Sequence, residues 1–344
     1  MRKIKTGIVG LGRLGKVHAT NVVNYVSQLD LIAACSVVEE ELQYASLNLG
    51  VEKTYESFEE MIDQADIEAV IIVSPSSLHT KQIEYAFKKG KHVFCEKPIG
   101  LEVKEIEQVE AFIEKRKDQV FMLGFMRRFD ESYQYAKEMV DRGDIGEITL
   151  VRCYGIDPSS GLPSFVQFAK NSHSGGLFID MAIHDIDLVR WFTGQEIKEV
   201  YAIGNNFAYP ELAEYGDTET GAALMKLSND AIAILVSGRN AAHGYHVETE
   251  IIGTKGMLRV AQEPEKNLVT IFDEKGVRRP CSEHFPERFK QAFINELIEF
   301  AKCIIERQVP GVSAKDGLES TKVALACTKS FETGKLVALE DEAK

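Results

Sequence analysis

The feature that most constrains this chain is a short apolar run that ends in glycines. Residues 4–9 read as a buried strand, and Gly10-Leu11-Gly12-Arg13-Leu14-Gly15 follows at once and opens a helix over 15–27. Strand-like runs recur at 31–35, 69–73, 92–95 and 120–123, separated by helical segments at 39–48, 78–89 and 102–116. Continuous apolar strands alternating with helices fit a parallel sheet covered on both faces. After about residue 145 the pattern changes. Runs at 147–156, 198–206, 219–228, 231–239, 245–252 and 267–273 read as strands. Several are joined by short turns, such as Ser228-Asn229-Asp230 and Gly253-Thr254-Lys255-Gly256. Short turns make antiparallel neighbours. One helix is expected near 177–193, and two more at 287–307 and 314–333.

The fold class is therefore α/β. An N-terminal Rossmann-type doubly wound parallel sheet is expected over residues 1–125. A C-terminal α+β domain with a large, mainly antiparallel open sheet is expected over 126–344, with the helix at 314–333 packing back on the first domain. A length of 344 residues suits two such domains. Ala222-Ala223-Leu224-Met225 and Ile232-Ala233-Ile234-Leu235-Val236 are apolar on both strand faces. An antiparallel sheet usually leaves one face wet, so the second face is expected to be covered by another copy of the chain.

Charge narrows the partners. The chain has 40 Lys+Arg against 53 Asp+Glu, a net charge of −13. Such a surface repels phosphate backbones and anionic lipid, so neither nucleic acid nor a membrane surface is an expected partner. No stretch approaches the ~20 apolar residues of a membrane span. The apolar run after Met1-Arg2-Lys3 is cut at Gly10, too soon for a signal sequence. Six scattered cysteines form no C-x-x-C pair, which points to a reducing cytoplasm and argues against a disulfide framework or a zinc site.

The glycine run carries the first chemistry. Gly10, Gly12 and Gly15, with Arg13 and Leu14 between them, form a G-x-G-x-x-G loop between a strand and a helix. Glycines allow a tight turn and close approach of a pyrophosphate, which the helix N-terminus then binds. The acid expected about 20 residues on, at the adenosine ribose, is replaced by Ser36. No Arg or Lys stands nearby to meet a 2′-phosphate, and Glu39, Glu40 and Glu41 follow. Charge thus favours NAD and leaves NADP open. Glu96-Lys97-Pro98 ends the fourth strand, where doubly wound sheets bind ligands, so Lys97 is a candidate for proton exchange.

Gly175-Gly176 leads into Asp180-x-x-x-His184. These two side chains share a face of the expected helix, and a carboxylate one turn from an imidazole orients it and stabilises its charged form. A structural Asp–His pair, or a metal site using Asp185 or Asp187, are the competing readings. No further ligands stand at metal spacing.

Together these motifs resemble the Gfo/Idh/MocA oxidoreductases over nearly the whole chain. The resemblance rests on the Gly10–Gly15 loop, Ser74-Pro75 followed by His79, Gly90 to Pro98, and Gly175-Gly176 with Asp180 and His184. Within the family, Gly124-Phe125-Met126-Arg127-Arg128-Phe129-Asp130 and Gly155-Ile156-Asp157-Pro158 are most similar to the inositol dehydrogenases. The resemblance implies a catalytic trio of Lys97, Asp180 and His184, and adds Ser74, Pro75, His79 and Glu96 to the cofactor contacts. It implies a polyol pocket containing Arg127, Asp157, His243 and Tyr245, and a homotetramer. The implied reaction oxidises a ring alcohol to a ketone, with either Lys97 or His184 as the base. Another sugar as substrate, or a non-catalytic nucleotide-sensing regulator, are the alternatives.

Overall fold

The structure is a computed structural model that describes residues 2–163, 165–166 and 175–339. The chain forms two compact units. One comprises the residues up to Phe129 with Gln291–Glu319, the other Asp130–Lys290 with the residues from Ser320 on. The division falls at 129/130 where 125/126 was expected, and the helix expected at 314–333 lies across it, with its residues from Ser320 on in the second unit. The segment 291–319 returns to the first unit, so that unit is built from two stretches of sequence.

The first unit holds β1 (Ile4–Val9), β2 (Leu29–Cys35), β3 (Lys53–Tyr55), β4 (Ala69–Ile72), β5 (His92–Glu96) and β6 (Phe121–Gly124). They lie in the order β3-β2-β1-β4-β5-β6 with every pairing parallel. Ala69, Val70, Ile71 and Ile72 are all fully buried, as a strand covered on both faces requires. Helices α1 (Arg13–Tyr25), α2 (Glu39–Leu49), α3 (Phe58–Gln64), α4 (His79–Lys88) and α5 (Val103–Glu114) connect the strands. The strand order reverses between β1 and β4, and ligands of such sheets sit at the carboxyl ends of the strands there.

The second unit opens with α6 (Glu131–Asp141), capped by Asp130, whose carboxylate accepts from the Ser132 and Tyr133 amides. Its sheet contains β7 (Ile148–Pro158), β8 (Ile197–Asn205), β9 (Thr220–Leu227), β10 (Ile232–Ala241), β11 (His246–Gly253) and β12 (Met257–Val260). A small hairpin, β13 (Ile271–Asp273) with β14 (Gly276–Arg278), stands apart, and β15 (Val337–Ala338) returns to the edge of the large sheet. The order is β12-β11-β7-β10-β9-β8-β15. All pairings are antiparallel except β7 with β10.

One face of this sheet buries Ala223, Met225, Ala233 and Leu235. On the other, Tyr201, Ile203, Leu224 and Ile232 are exposed. Tyr201 pairs directly with Leu224, so this is a contiguous apolar strip and not scattered side chains.

All six cysteines are free. Burial pushes the thiols of Cys35, Cys303 and Cys327 up to about 12, and that of Cys95 well above its ordinary value. Among the described residues no helix is long and apolar enough to cross a membrane.

Candidate active site

In the first unit the glycine loop fits a nucleotide by exclusion of side chains. Gly10 has a φ of 84°, and a Cβ there would meet the Val73 carbonyl oxygen at 2.4 Å. A Cβ on Gly15 would lie 1.9 Å from the Gly10 carbonyl oxygen. At Gly12 the space is open, with only Glu41 Oε1 at 3.9 Å. Gly12 is the N-cap of α1 and offers no side chain to the first-turn amides, which leaves them for an anion.

The Ser36 departure has a structural answer. The Ser36 hydroxyl donates to Glu41 Oε2 at 2.6 Å and accepts from the Val38 amide. The carboxylate that the fingerprint places at the end of β2 is here supplied from the first turn of α2. It favours a ribose diol and repels a 2′-phosphate.

Lys97 follows β5 and is half-buried. Two inward-facing groups hold its surroundings. Glu96, expected among the cofactor contacts, turns into the core. Its Oε1 lies 2.7 Å from His18 Nε2, and its Oε2 accepts the Lys97 backbone N–H at 3.2 Å. His79, also expected at the cofactor, is buried between two carbonyl oxygens, Pro98 at 2.7 Å and Ser74 at 2.8 Å. It therefore ties the loop after β4 to the loop after β5, and burial lowers its pKa. Ser74 itself donates to Gln82. Arg127 is buried in the turn Met126–Phe129. Its neighbour Arg128 pairs with Asp316, and Asp130 pairs with Arg288.

Beside His18 lies Glu296, fully buried, with Oε1 4.0 Å from His18 Nε2. Burial, reinforced by the Glu96 charge, raises its pKa well above the usual carboxylate range. Ligand atoms of His18, Glu96 and Glu296 all lie within 4.8 Å of one another. Burial thus favours the neutral acid at Glu296, while His18 holds Glu96 at hydrogen-bond distance and its ring is packed by Phe94 and Phe293.

In the second unit Gly175 and Gly176 have φ of 81° and 78°, left-handed values that turn the chain into the following helix. Asp217 caps that helix by accepting from the Leu177 amide at 2.7 Å. Desolvation raises the pKa of Asp217. Asp180 lies in a π-helical segment, Phe178–Ala182, which passes into the helix Ile183–Thr193 carrying the buried His184. Such segments are rare and concentrate at functional sites.

Asp180 has a partner that sequence reasoning missed. Arg239 Nη2 lies 2.8 Å from Asp180 Oδ2, and its Nη1 lies 3.4 Å from Asp157 Oδ2. Arg239 is 3% exposed. An unpaired guanidinium at such depth would cost several kcal/mol, so the two carboxylates are a condition of its burial. A signal was present: Ala233, Leu235, Ser237 and Arg239 share the inward parity of β10, and a charge at the end of that row is out of place.

The remaining expected pocket residues are placed differently. Tyr245 is buried with its ring against Phe285 and Phe289. His243 is exposed and lies 3.0 Å from His246 Nδ1. The structure thus gathers Asp157, Asp180 and Arg239 in one cluster, with His184 four residues along.

A glycine loop of the dinucleotide-binding kind, a lysine at a strand end and a helix carrying Asp180 and His184 are the features of a nucleotide-dependent dehydrogenase. The comparisons with known proteins agree. Residues 4–125 match the model described as the oxidoreductase family, NAD-binding Rossmann fold, and residues 133–259 the GFO/IDH/MocA C-terminal domain. The chain belongs to the Gfo/Idh/MocA family. It is similar to scyllo-inositol dehydrogenase from Lactobacillus casei, solved with bound NAD(H) and scyllo-inositol. That match has 58% identity and a TM-score of 0.96, covering 98% of this chain and 99% of the other. Against myo-inositol 2-dehydrogenase from Lactobacillus plantarum the identity is 45% and the TM-score 0.97, covering 98% and 100%. The scyllo-inositol 2-dehydrogenase (NAD(+)) of Bacillus subtilis is 34% identical, over 98% of this chain and 97% of its own length.

Proposed function

We propose that this protein is an NAD-dependent inositol 2-dehydrogenase that oxidises one ring hydroxyl of scyllo- or myo-inositol to a ketone. The observation that carries this reading is the 58% identity, over nearly the full length of both chains, to a dehydrogenase seen with NAD(H) and scyllo-inositol. The greater sequence identity to the Lactobacillus casei scyllo-inositol dehydrogenase than to the Lactobacillus plantarum myo-inositol 2-dehydrogenase favours scyllo-inositol as the better substrate.

The roles follow from the chemistry of the side chains. Gly10, Gly12 and Gly15, with the amides of Arg13 and Leu14, hold the pyrophosphate. Ser36 and Glu41 take the adenosine ribose, and Ser74 and Pro75 line the way to Lys97. When bound, the nicotinamide ring is the hydride acceptor. His184 takes the proton of the reacting hydroxyl, and the Asp180 carboxylate stabilises the imidazolium that results. The Lys97 ammonium stabilises the negative charge that develops on the reacting oxygen. Arg127, Asp157, His243 and Tyr245 are the groups proposed to contact the other hydroxyls.

The exposed apolar strip on β8, β9 and β10 supports a homo-oligomer, which we take to be a tetramer. Six free thiols, most of them buried, suit a cytoplasmic location. The test is NADH formation with scyllo-inositol, myo-inositol, glucose and their deoxy and amino relatives. Turnover is expected on the inositols, fastest on scyllo-inositol, and silence on every inositol overturns the reading. Sedimentation at micromolar concentration tests the tetramer.

A further inference from the structure

We infer that Arg239 is a positioning residue for the reaction: it holds Asp157 and Asp180 close together with both carboxylates ionised. The inference rests on the dehydrogenase reading, because it concerns how Asp180 serves His184.

The geometry is specific. β7 and β10 run parallel in register up to Gly238 opposite Ile156, and the register then shifts before Ala241 meets Pro158. Arg239 sits within that irregularity. Such breaks re-aim side chains beside functional sites. The Arg239 amide is fixed on the Glu219 carbonyl at 2.9 Å, and the Phe165 ring covers the guanidinium at 3.4 Å. The cation is thus anchored from its backbone and from one flat face, and its two terminal nitrogens point to the two acids.

The acids are not buried with it. The side chains of Asp157 and Asp180 stay 33% and 31% exposed. A ligand can therefore reach both carboxylates but not the arginine. Asp180 is the more tightly held, at 2.8 Å against 3.4 Å. The Arg239 contact is made through Oδ2, so it fixes the direction in which the Asp180 carboxylate faces.

Without the cation the arrangement fails in a definite way. Two carboxylates converging on one point cannot both ionise easily, so one retains a proton. Among the described residues of this unit, Asp157 from β7 and Arg239 from β10 meet beside Asp180, the Asp217 charge from the segment before β9 acts on it, and His184 follows four residues along. Of these four, Arg239 alone is positive at every working pH. An Asp180 that holds a proton no longer stabilises the His184 imidazolium.

The test compares wild type with Arg239→Gln and Arg239→Lys. Arg239→Gln is expected to lower kcat about 10²-fold, the scale of a lost acid–base partner, while NAD affinity changes less than about threefold. The acid limb of the kcat/KM profile should move to higher pH. Arg239→Lys keeps the charge without the planar fork and should recover about tenfold of the loss. Adding Asp157→Asn to Arg239→Gln removes the like-charge partner and should return the acid limb towards wild type. Carbon-13 carboxyl titration of labelled aspartate, assigned with Asp180→Asn, reads the same effect with no substrate present. In Arg239→Gln one of the two carboxyls should hold its proton to a higher pH than in wild type. If Arg239→Gln does not fold, Arg239→Lys with the same titration decides. A carboxyl titration unmoved by Arg239→Gln, or kcat within about threefold of wild type, overturns the inference. A wild type silent on all inositols overturns the substrate reading instead, and the titration still decides the role of Arg239.

Discussion

Each unit carries a cluster of two carboxylates and one basic side chain, and the two clusters are built in opposite ways. His18, Glu96 and Glu296 are all buried, and burial followed by the Glu96 charge raises the Glu296 pKa, which favours its neutral form. Asp157, Asp180 and Arg239 bury only the base and leave both acids about a third exposed. A dry cluster of the first kind fixes backbone: Glu96 grips the Lys97 amide and helix α1 at once. A wet cluster of the second kind presents charge to a ligand. Two acids and a base thus lie dry in one unit and, in the other, leave both acids in reach of a ligand; depth separates the two.

The comparison can be broken by asking which property each substitution damages. The largest effect is expected on the wet side. His184→Ala should lower kcat about 10³-fold, and Lys97→Ala similarly, with the thermal midpoint and NADH binding unchanged. Steady-state kinetics beside fluorescence titration of NADH measures both. On the dry side the pattern inverts: Glu96→Ala strands His18 and the Lys97 amide and should cost about 2 kcal/mol of stability by denaturant unfolding.

Glu296→Gln sharpens the contrast. Glu296 has its folded pKa raised by burial and then by the Glu96 charge, so the folded state binds its proton more tightly than the unfolded state. Its stabilising contribution is full below the unfolded carboxylate range and declines as pH rises towards the folded pKa. Glu296→Gln mimics the protonated acid, so it should match wild type near pH 4 and unfold at higher denaturant than wild type near pH 8. Parallel curves at both pH values would show that the cluster carries no such proton. The smallest effect is expected at Glu41, where Glu41→Gln should narrow the preference for NAD over NADP about tenfold by removing a like charge from the 2′-phosphate position.

The parts of the fold that burial dictates were legible in the sequence. Ala69–Ile72 and Val93–Cys95 read as parallel-sheet strands because they are apolar on both faces, and the glycine loop placed the nucleotide. The edge strand Lys53–Tyr55 has no such signature and was missed, as was α3 after it. The parallel pairing of β7 with β10 also escaped, because alternation gives the face of a residue and not the direction of its neighbour. In the candidate site, Asp180 and His184 stood out by their spacing in the sequence. Glu41 and Arg239 did not, because each reaches its partner across a gap in sequence: five residues to Ser36 for one, 59 and 82 to Asp180 and Asp157 for the other. Glu96 and His79 were read outward and lie inward. Nothing local in Glu96-Lys97-Pro98 says which of two adjacent charged side chains faces the core.

The free cysteines turn the molecule into its own reporter. Thiolates, not thiols, react with disulfide and maleimide reagents, and only Cys281 is not buried. One equivalent of label should therefore enter the native protein quickly and the rest only as structure opens. Cys35, Cys95 and Cys303 belong to the first unit, and Cys153 and Cys327 to the second. The order in which these five become modified as denaturant rises, read by peptide mass, would time the opening of each unit separately, without any probe having been engineered into the chain.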